Sequence, residues 1–251
     1  MDHLEGQPTR EQLTQALRAA LSRRPLPPGE PAPCPYLPGR TSRYVALHAA
    51  GLRPGVYQSL LDLNFRRIGS IFYRPECGAC RECRMLRVEV GEFAPSRSQR
   101  RCWARNRDVA VSVCAPEETP EKLALYRRYL EARHDGQMTG SAEEFAALYE
   151  SPVTSVEFVY RVAGRLLGAA LADLEPQALS AVYSYFEPKE GRRGLGVFAI
   201  LGMLEACRAR GIPHLYLGFH VAGCAKMSYK ASYRPHAVLM EDGSWAARPP
   251  R

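Results

Sequence analysis

The chain has 251 residues, enough for one large or two modest domains around a buried core, and its 46% hydrophobic and 24% charged residues exclude a disordered or fibrous chain. Against 26 Asp and Glu stand 34 Lys and Arg, a net charge of +8, and the excess is concentrated: Arg66 to Arg107 holds eleven arginines, no lysine and four acids. A one-sided basic surface attracts polyanions, so nucleic acid, anionic lipid or an acidic peptide is the leading class of partner. No run of about 18 apolar residues exists, which excludes a membrane-spanning helix. The opening MDHLEGQPTREQLTQALRAAL is unlike a secretory signal, so the expected location is cytoplasmic, where the eight cysteines are expected as thiols or metal ligands without bridges.

In chain order, Thr9 and Gln12 form a capping box for a helix over about Glu11 to Leu21. The stretch PLPPGEPAPCPYLPG is too rich in proline for helix or central strand and is expected as an ordered loop. A helix is expected over Tyr57 to Leu63. A half-buried strand is expected over Met85 to Val90, where Leu86, Val88 and Val90 alternate with Arg87 and Glu89. Ser96 and Gln99 make a second capping box, so SRSQRRCWARNR reads as a helix with Arg97, Arg101 and Arg105 on one face, and the strand VAVSV follows.

CAPEETP, Cys114 to Pro120, marks the expected boundary into a second unit. Thr119 and Pro120 start a helix that ends near RHDG, and Ser141 with Glu144 caps the next. SVEFVYRV, LLGAALADL and LSAVYSYF read as three antiparallel strands, with a turn at Gly164. A helix from Val197 stops at Gly211 and Pro213, HLYLGF is a short buried strand, GCAKMSYKASYRP a last helix or helical turn, and MEDGSWAARPPR a tail. This order implies an α+β fold: an N-acetyltransferase-like mixed sheet flanked by helices, preceded by a smaller cysteine-containing unit. The expected division is 1–115, an arginine-rich cysteine-containing unit; 116–240, an acyltransferase-like domain; and 241–251, a tail.

Cys77, Cys80 and Cys83 form C-x-x-C-x-x-C, and Cys34 is the candidate fourth ligand for a tetrahedral zinc or an iron–sulfur cluster; buried or redox-sensitive thiols are the other reading. In EGRRGLG, Gly194 and Gly196 before a helix, with Arg192 and Arg193, suit a phosphate, although glycines also make plain turns. Lys226, Lys230 and Arg234 recur every four residues and would form one helical stripe able to track phosphates, or a plain solvated face. Walker, HExxH and GxSxG motifs are absent.

Taken together, CPYLPGR, the cysteine run, PSRSQRR, RHDGQM, YSYFEP, RRGLG, YLGF and KMSYKASYRP resemble the bacterial aminoacyl-tRNA protein transferases, in the same order from about Cys34 to Leu239. These are the leucyl-transferring relatives of the arginyl-tRNA protein transferases. The resemblance implies transfer of an amino acid, leucine first and arginine as the alternative, from charged tRNA to the α-amine of proteins beginning with Asp or Glu, which sends them into N-end-rule degradation. It implies no cofactor for the chemistry, because an aminoacyl ester is already activated and positioning is the main task. Glu187 is the candidate base and Tyr185 its neighbour, Arg74 the candidate for the acceptor's carboxylate, and Arg97, Arg100, Arg101 and Arg105 candidates for tRNA phosphates or the acceptor. The competing readings are an acyl-CoA-dependent N-acetyltransferase and a zinc-stabilised RNA-binding module without catalysis.

Overall fold

The structure, a computed structural model, describes residues 8–133 and 138–248. The expected helix end at His134 to Gly136 and the glutamine of RHDGQM therefore lie outside the described residues, as do 1–7 and 249–251.

An eight-stranded mixed sheet forms the centre: β6 (Arg84–Glu89), β7 (Ala110–Cys114), β8 (Ser155–Val162), β9 (Arg165–Glu175), β10 (Ala178–Phe186), β11 (His214–His220), β12 (His236–Leu239) and β13 (Trp245–Arg248) lie in the order β13-β12-β6-β11-β10-β9-β8-β7. Strands β8 to β10 form the expected meander. Val162 pairs with Arg165 across Ala163 and Gly164, both at positive φ (47° and 82°), the two-residue turn whose twist matches that of the strands. Among the described residues every strand pairing is antiparallel except β10 with β11, joined by a crossover through helix α6 (Leu195–Ala209). The fold is the expected α+β one, a mixed sheet flanked by helices.

Residues on one face of the sheet, among them Leu86, Val88, Phe158, Leu167, Leu179, Leu215 and Leu217, pack against Phe198, Leu201 and Leu204 of α6 and Cys102 of α3 (Arg97–Arg105). Burying each leucine or phenylalanine there contributes about 1.5–3 kcal/mol. Side chains alternate along a strand, so the remaining apolar residues face the other way, where two clusters divide the surface. Over β8 to β10 lie α4 (Pro120–Arg133) and α5 (Ala142–Tyr149), around Tyr126, Phe145, Leu171 and Tyr185. Over β6, β11 and β12 lie α1 (Arg10–Arg23), α2 (Val56–Asp62) and a second sheet. In that sheet β3 (Tyr44–His48) and β4 (Arg66–Ile68) flank β5 (Ile71–Pro75). A short ribbon, β1 (Ala32–Pro33) with β2 (Thr41–Ser42), stands in the proline-rich stretch.

The two parts of the chain interlock. Strands β6 and β7 precede residue 115 yet sit in the same sheet as β8 to β12. Arg67 of β4 donates to both oxygens of Asp173 on β9 at 2.7 and 2.5 Å, with both side chains essentially sealed from solvent. Glu175 accepts the Gly55 amide at 2.5 Å at the start of α2. Two expectations change. The segment 84–89 is not half-buried: β6 lies between β12 and β11, and even Arg87 is buried, its guanidinium 4.2 Å from the Trp245 ring centroid. The segment expected as a tail adds strand β13 beside β12. No helix of the described residues is long and apolar enough to cross a membrane.

Candidate functional site

The parallel strands β10 and β11 pair only from Ala178↔His214 to Ser180↔Tyr216 and then part. Both change register there: β10 is irregular between Ala181 and Tyr183 against β9, and β11 between Tyr216 and Gly218 against β6. Bulges of this kind end pairing and re-aim side chains, and here they leave strand carbonyls without a strand partner. Arg66 of β4 fills the role. Its Nη2 donates to the carbonyls of Ala181 (3.0 Å) and Val182 (3.2 Å). Glycine at 218 is required twice over: φ is +78°, and a Cβ would lie 2.5 Å from the Arg66 Cζ.

A second cation sits alongside. Lys230 is 4% exposed and its Nζ donates to the Phe219 carbonyl at 2.6 Å. Burial, and after it the charge of Arg66, draws Lys230 down to about 7. Tyr36, Tyr57, Tyr73 and Tyr229 stand close enough to Arg66 to act on its charge, and Tyr229, half exposed at 49%, marks the rim. Neither Arg66 nor Lys230 has a carboxylate within 4.0 Å among the described residues. The strand opening thus brings together two basic side chains, with no carboxylate beside them among the described residues.

The arginines of α3 present a different surface. The Ser96–Gln99 capping box closes as expected, with Gln99 N to Ser96 Oγ at 3.3 Å and Ser96 N to Gln99 Oε1 at 2.7 Å. Arg97, Arg100, Arg101 and Arg105 are all exposed. Arg100 donates to the Pro95 carbonyl at 2.6 Å, and Arg105 binds the Arg192 carbonyl, joining α3 to the loop before α6. In that loop Arg192 is exposed, whereas Arg193 is held by Asp108 at 2.8 Å on both nitrogens and by Glu190 at 3.0 Å. Gly194, at φ +67°, is the N-cap of α6, and Gly196 packs against the Phe186 ring. Trp103, 40% exposed, leans on Phe198 at 5.1 Å between centroids.

Other expected site residues are placed apart from the recess or inside the frame. Tyr185 is fully buried among Tyr126 and Phe145, its hydroxyl 2.7 Å from that of Tyr149, which donates to Glu157 at 2.9 Å. Glu187 ends β10, pairs with Arg128 at 3.1 Å and caps the 3₁₀ turn Pro188–Arg193. Arg74 pairs with Glu76 at 3.3 Å and lines a cavity of about 350 Å³ with Arg18, Asp62, Arg81, Arg84 and Glu241. The stripe expected of Lys226, Lys230 and Arg234 does not form. Helix α7 (Ala225–Ser228) is a single turn passing into the 3₁₀ turn Tyr229–Ser232, so Lys226 is exposed, Lys230 is turned inward and Arg234 lies beyond.

Cys34, Cys77, Cys80 and Cys83 do converge: burial and then the other three sulfurs push the Cys83 thiol up to about 12. Among the described residues, however, no three His, Cys, Asp or Glu side chains are arranged to hold a metal ion. The expected zinc or iron–sulfur cluster is thus not supported by the arrangement of these side chains. Cys77 Sγ exchanges hydrogen bonds with the Arg43 amide and carbonyl at 3.4 and 3.5 Å, Cys34 Sγ accepts the Leu37 amide at 3.4 Å, and Cys80 Sγ accepts from Arg40 Nη1 at 3.5 Å. All eight cysteines are free.

Arg66, the residue that organises the recess, escaped the sequence reading. The signal that pointed to it was Gly218 inside the strand YLGF, since a glycine in a strand interior marks close approach of another group.

Comparison with known proteins agrees over nearly the whole chain. Models described as "Arginine-tRNA-protein transferase, N terminus" and "C terminus" match residues 32–101 and 121–240. A curated aspartate/glutamate leucyltransferase of Methylobacterium sp. (strain 4-46) is 44% identical over 231 residues, covering 86% of this chain and 93% of the relative. One of Halorhodospira halophila is 41% identical over 221 residues, with the same coverages. Among solved structures, a GCN5-related N-acetyltransferase from Kribbella flavida aligns over 91% of this chain and 75% of its own at 15% identity and a TM-score of 0.38.

Proposed function

The chain belongs to the arginine-tRNA-protein transferase family, and on that premise we propose that it transfers a leucyl group from its tRNA ester to the α-amine of proteins that begin with Asp or Glu. The observation that carries this reading is the match, at 41–44% identity along most of both chains, to relatives named aspartate/glutamate leucyltransferase. The recess between β10 and β11 supports it by offering positive charge to an acidic chain end. Beside α3 and the start of α6, exposed arginines offer a surface to the phosphates of the donor.

The amine nitrogen attacks the ester carbonyl carbon, the peptide bond forms, and the carbon–oxygen bond to the terminal ribose breaks. The proton lost by the amine ends on the departing ribose oxygen. The ester supplies the driving force, so the protein's task is to hold amine and ester together and to meet the developing oxyanion with donors. A free α-amine, with a pKa near 8, sheds its proton to water or a weak base without a dedicated strong one. Tyr185 and Glu187 act in this reading as frame: one fixes β10 to α5, the other closes the turn that leads into α6. Arg97, Arg100, Arg101, Arg105, Arg192 and Lys226 contact tRNA. Charged tRNA places the reaction in the cytoplasm, and a leucine at the new N-terminus marks the product for N-end-rule degradation.

A donor panel tests the assignment. Leucyl-, arginyl- and phenylalanyl-tRNA are each offered with peptides beginning Asp, Glu, Lys or Ala, and with labelled acetyl-CoA as a separate donor. The expected product is leucyl-Asp and leucyl-Glu peptide alone. Arginyl product would move the chain to the other branch of its family, and acetyl incorporation without tRNA would remove the reading.

A further inference from the structure

We propose that Arg66, backed by Lys230, reads the side-chain carboxylate of the acceptor's first residue, an inference that rests on the acceptor class assigned above. The Arg66 guanidinium commits Nη2 to the Ala181 and Val182 carbonyls, which fixes its position, while Nη1 and Nε have no hydrogen-bond partner among the described residues. A guanidinium carries five N–H donors, and the group here packs against Gly218, whose missing side chain is what admits it.

The charge balance points the same way. Two basic groups, Lys230 buried and Arg66 half-buried, stand together among carbonyls, tyrosines, the Phe219 ring and the Cys83 and Cys224 thiols, and repel each other in a poorly solvated place. An incoming carboxylate supplies the missing counter-charge and gains more in such a setting than at the surface. By contrast Arg74, the residue expected for this task from the sequence, already has Glu76, and the cavity it lines holds two further acids, Asp62 and Glu241.

Depth separates the acceptor from the donor. A carboxylate on one or two methylenes can enter an opening between two strands, whereas the phosphates of a tRNA stem run along a surface such as that of α3. Because the cations contact a charged group rather than an amide, Asp is separated from its isostere Asn by loss of a charge-assisted bond and the stranding of Arg66.

The experiment compares peptides beginning Asp, Asn, Glu and Gln, both by equilibrium binding of fluorescent peptide and by leucyl transfer at saturating leucyl-tRNA. The wild type is expected to prefer Asp over Asn by about 100-fold or more. Arg66→Gln should raise KM for the Asp peptide by about 10- to 100-fold, leave the Asn peptide within about threefold and leave tRNA affinity unchanged, and Lys230→Met should act in the same direction more weakly. A retained Asp-to-Asn ratio in Arg66→Gln, or a fall in tRNA affinity in its place, overturns the proposal. Should Arg66→Gln lose its native circular dichroism, Arg66→Lys keeps the charge without the fork and is expected to keep a preference for Asp at reduced affinity; equal losses for Asp and Asn there would overturn it. Wild-type protein that binds Asp over Asn but transfers no leucine removes the donor assigned above and leaves Arg66 its role, while leucine transfer without preference for Asp does the reverse.

Discussion

Two gatherings of positive charge on this protein do opposite things with the same residue type. On α3, Arg97, Arg100 and Arg101 stand in solvent, where each contact is weak, salt-screened and indifferent to the shape of its partner. In the strand opening, Arg66 is fixed by two backbone carbonyls and Lys230 by a third, so their charge is aimed and only partly solvated. The contrast teaches that arginine count locates a polyanion surface, whereas burial and anchoring decide whether a cation can discriminate.

The sharpest way to break that contrast is to loosen the anchor. Asp173→Asn strands the buried guanidinium of Arg67, next to Arg66 in β4, and should destabilise the fold by about 3–5 kcal/mol, read as a lowered midpoint of chemical denaturation. Next in size is Gly218→Ala, which strains a left-handed position and drives a methyl into the Arg66 guanidinium. It should cut leucyl transfer by about 100-fold while tRNA binding holds, because only the aimed charge is disturbed. Arg97→Ala combined with Arg101→Ala tests the surface arm: tRNA affinity should fall about tenfold and its salt dependence flatten, with the preference among acceptor peptides unchanged.

The smallest effect concerns Glu175, whose burial raises it from 4.5 to about 7 despite the Gly55 and Gln58 amides that favour its charged form. The folded state then holds a proton that the unfolded chain has released, so stability falls as pH rises from about 4.5 to 7 and levels off above. Glu175→Gln should flatten that slope in denaturation measured from pH 4.5 to 8.

Legibility followed how local the physics was. Capping boxes at Thr9–Gln12 and Ser96–Gln99 close within three residues, so pattern and structure coincide. The meander of β8 to β10 was readable because its alternation and its turn at Gly164 are neighbours in sequence. The second sheet, β3 to β5, was missed: its strands are short, and Arg66 and Arg67 put charge where a buried strand would be expected to carry apolar residues. Lys230 read as one of a solvent-facing stripe, because a four-residue spacing carries no information on where a helix stops.

By itself the sequence determined the family, the α+β order of elements and the region where arginines gather, since motif order, periodicity and composition are properties of the chain in one dimension. Only the tertiary structure decided which cations are anchored in a recess and which are left in water. That choice depends on Arg66 meeting the carbonyls of residues 181 and 182 and on Lys230 turning inward, contacts between segments far apart along the chain whose energy comes from desolvation created by the packing itself.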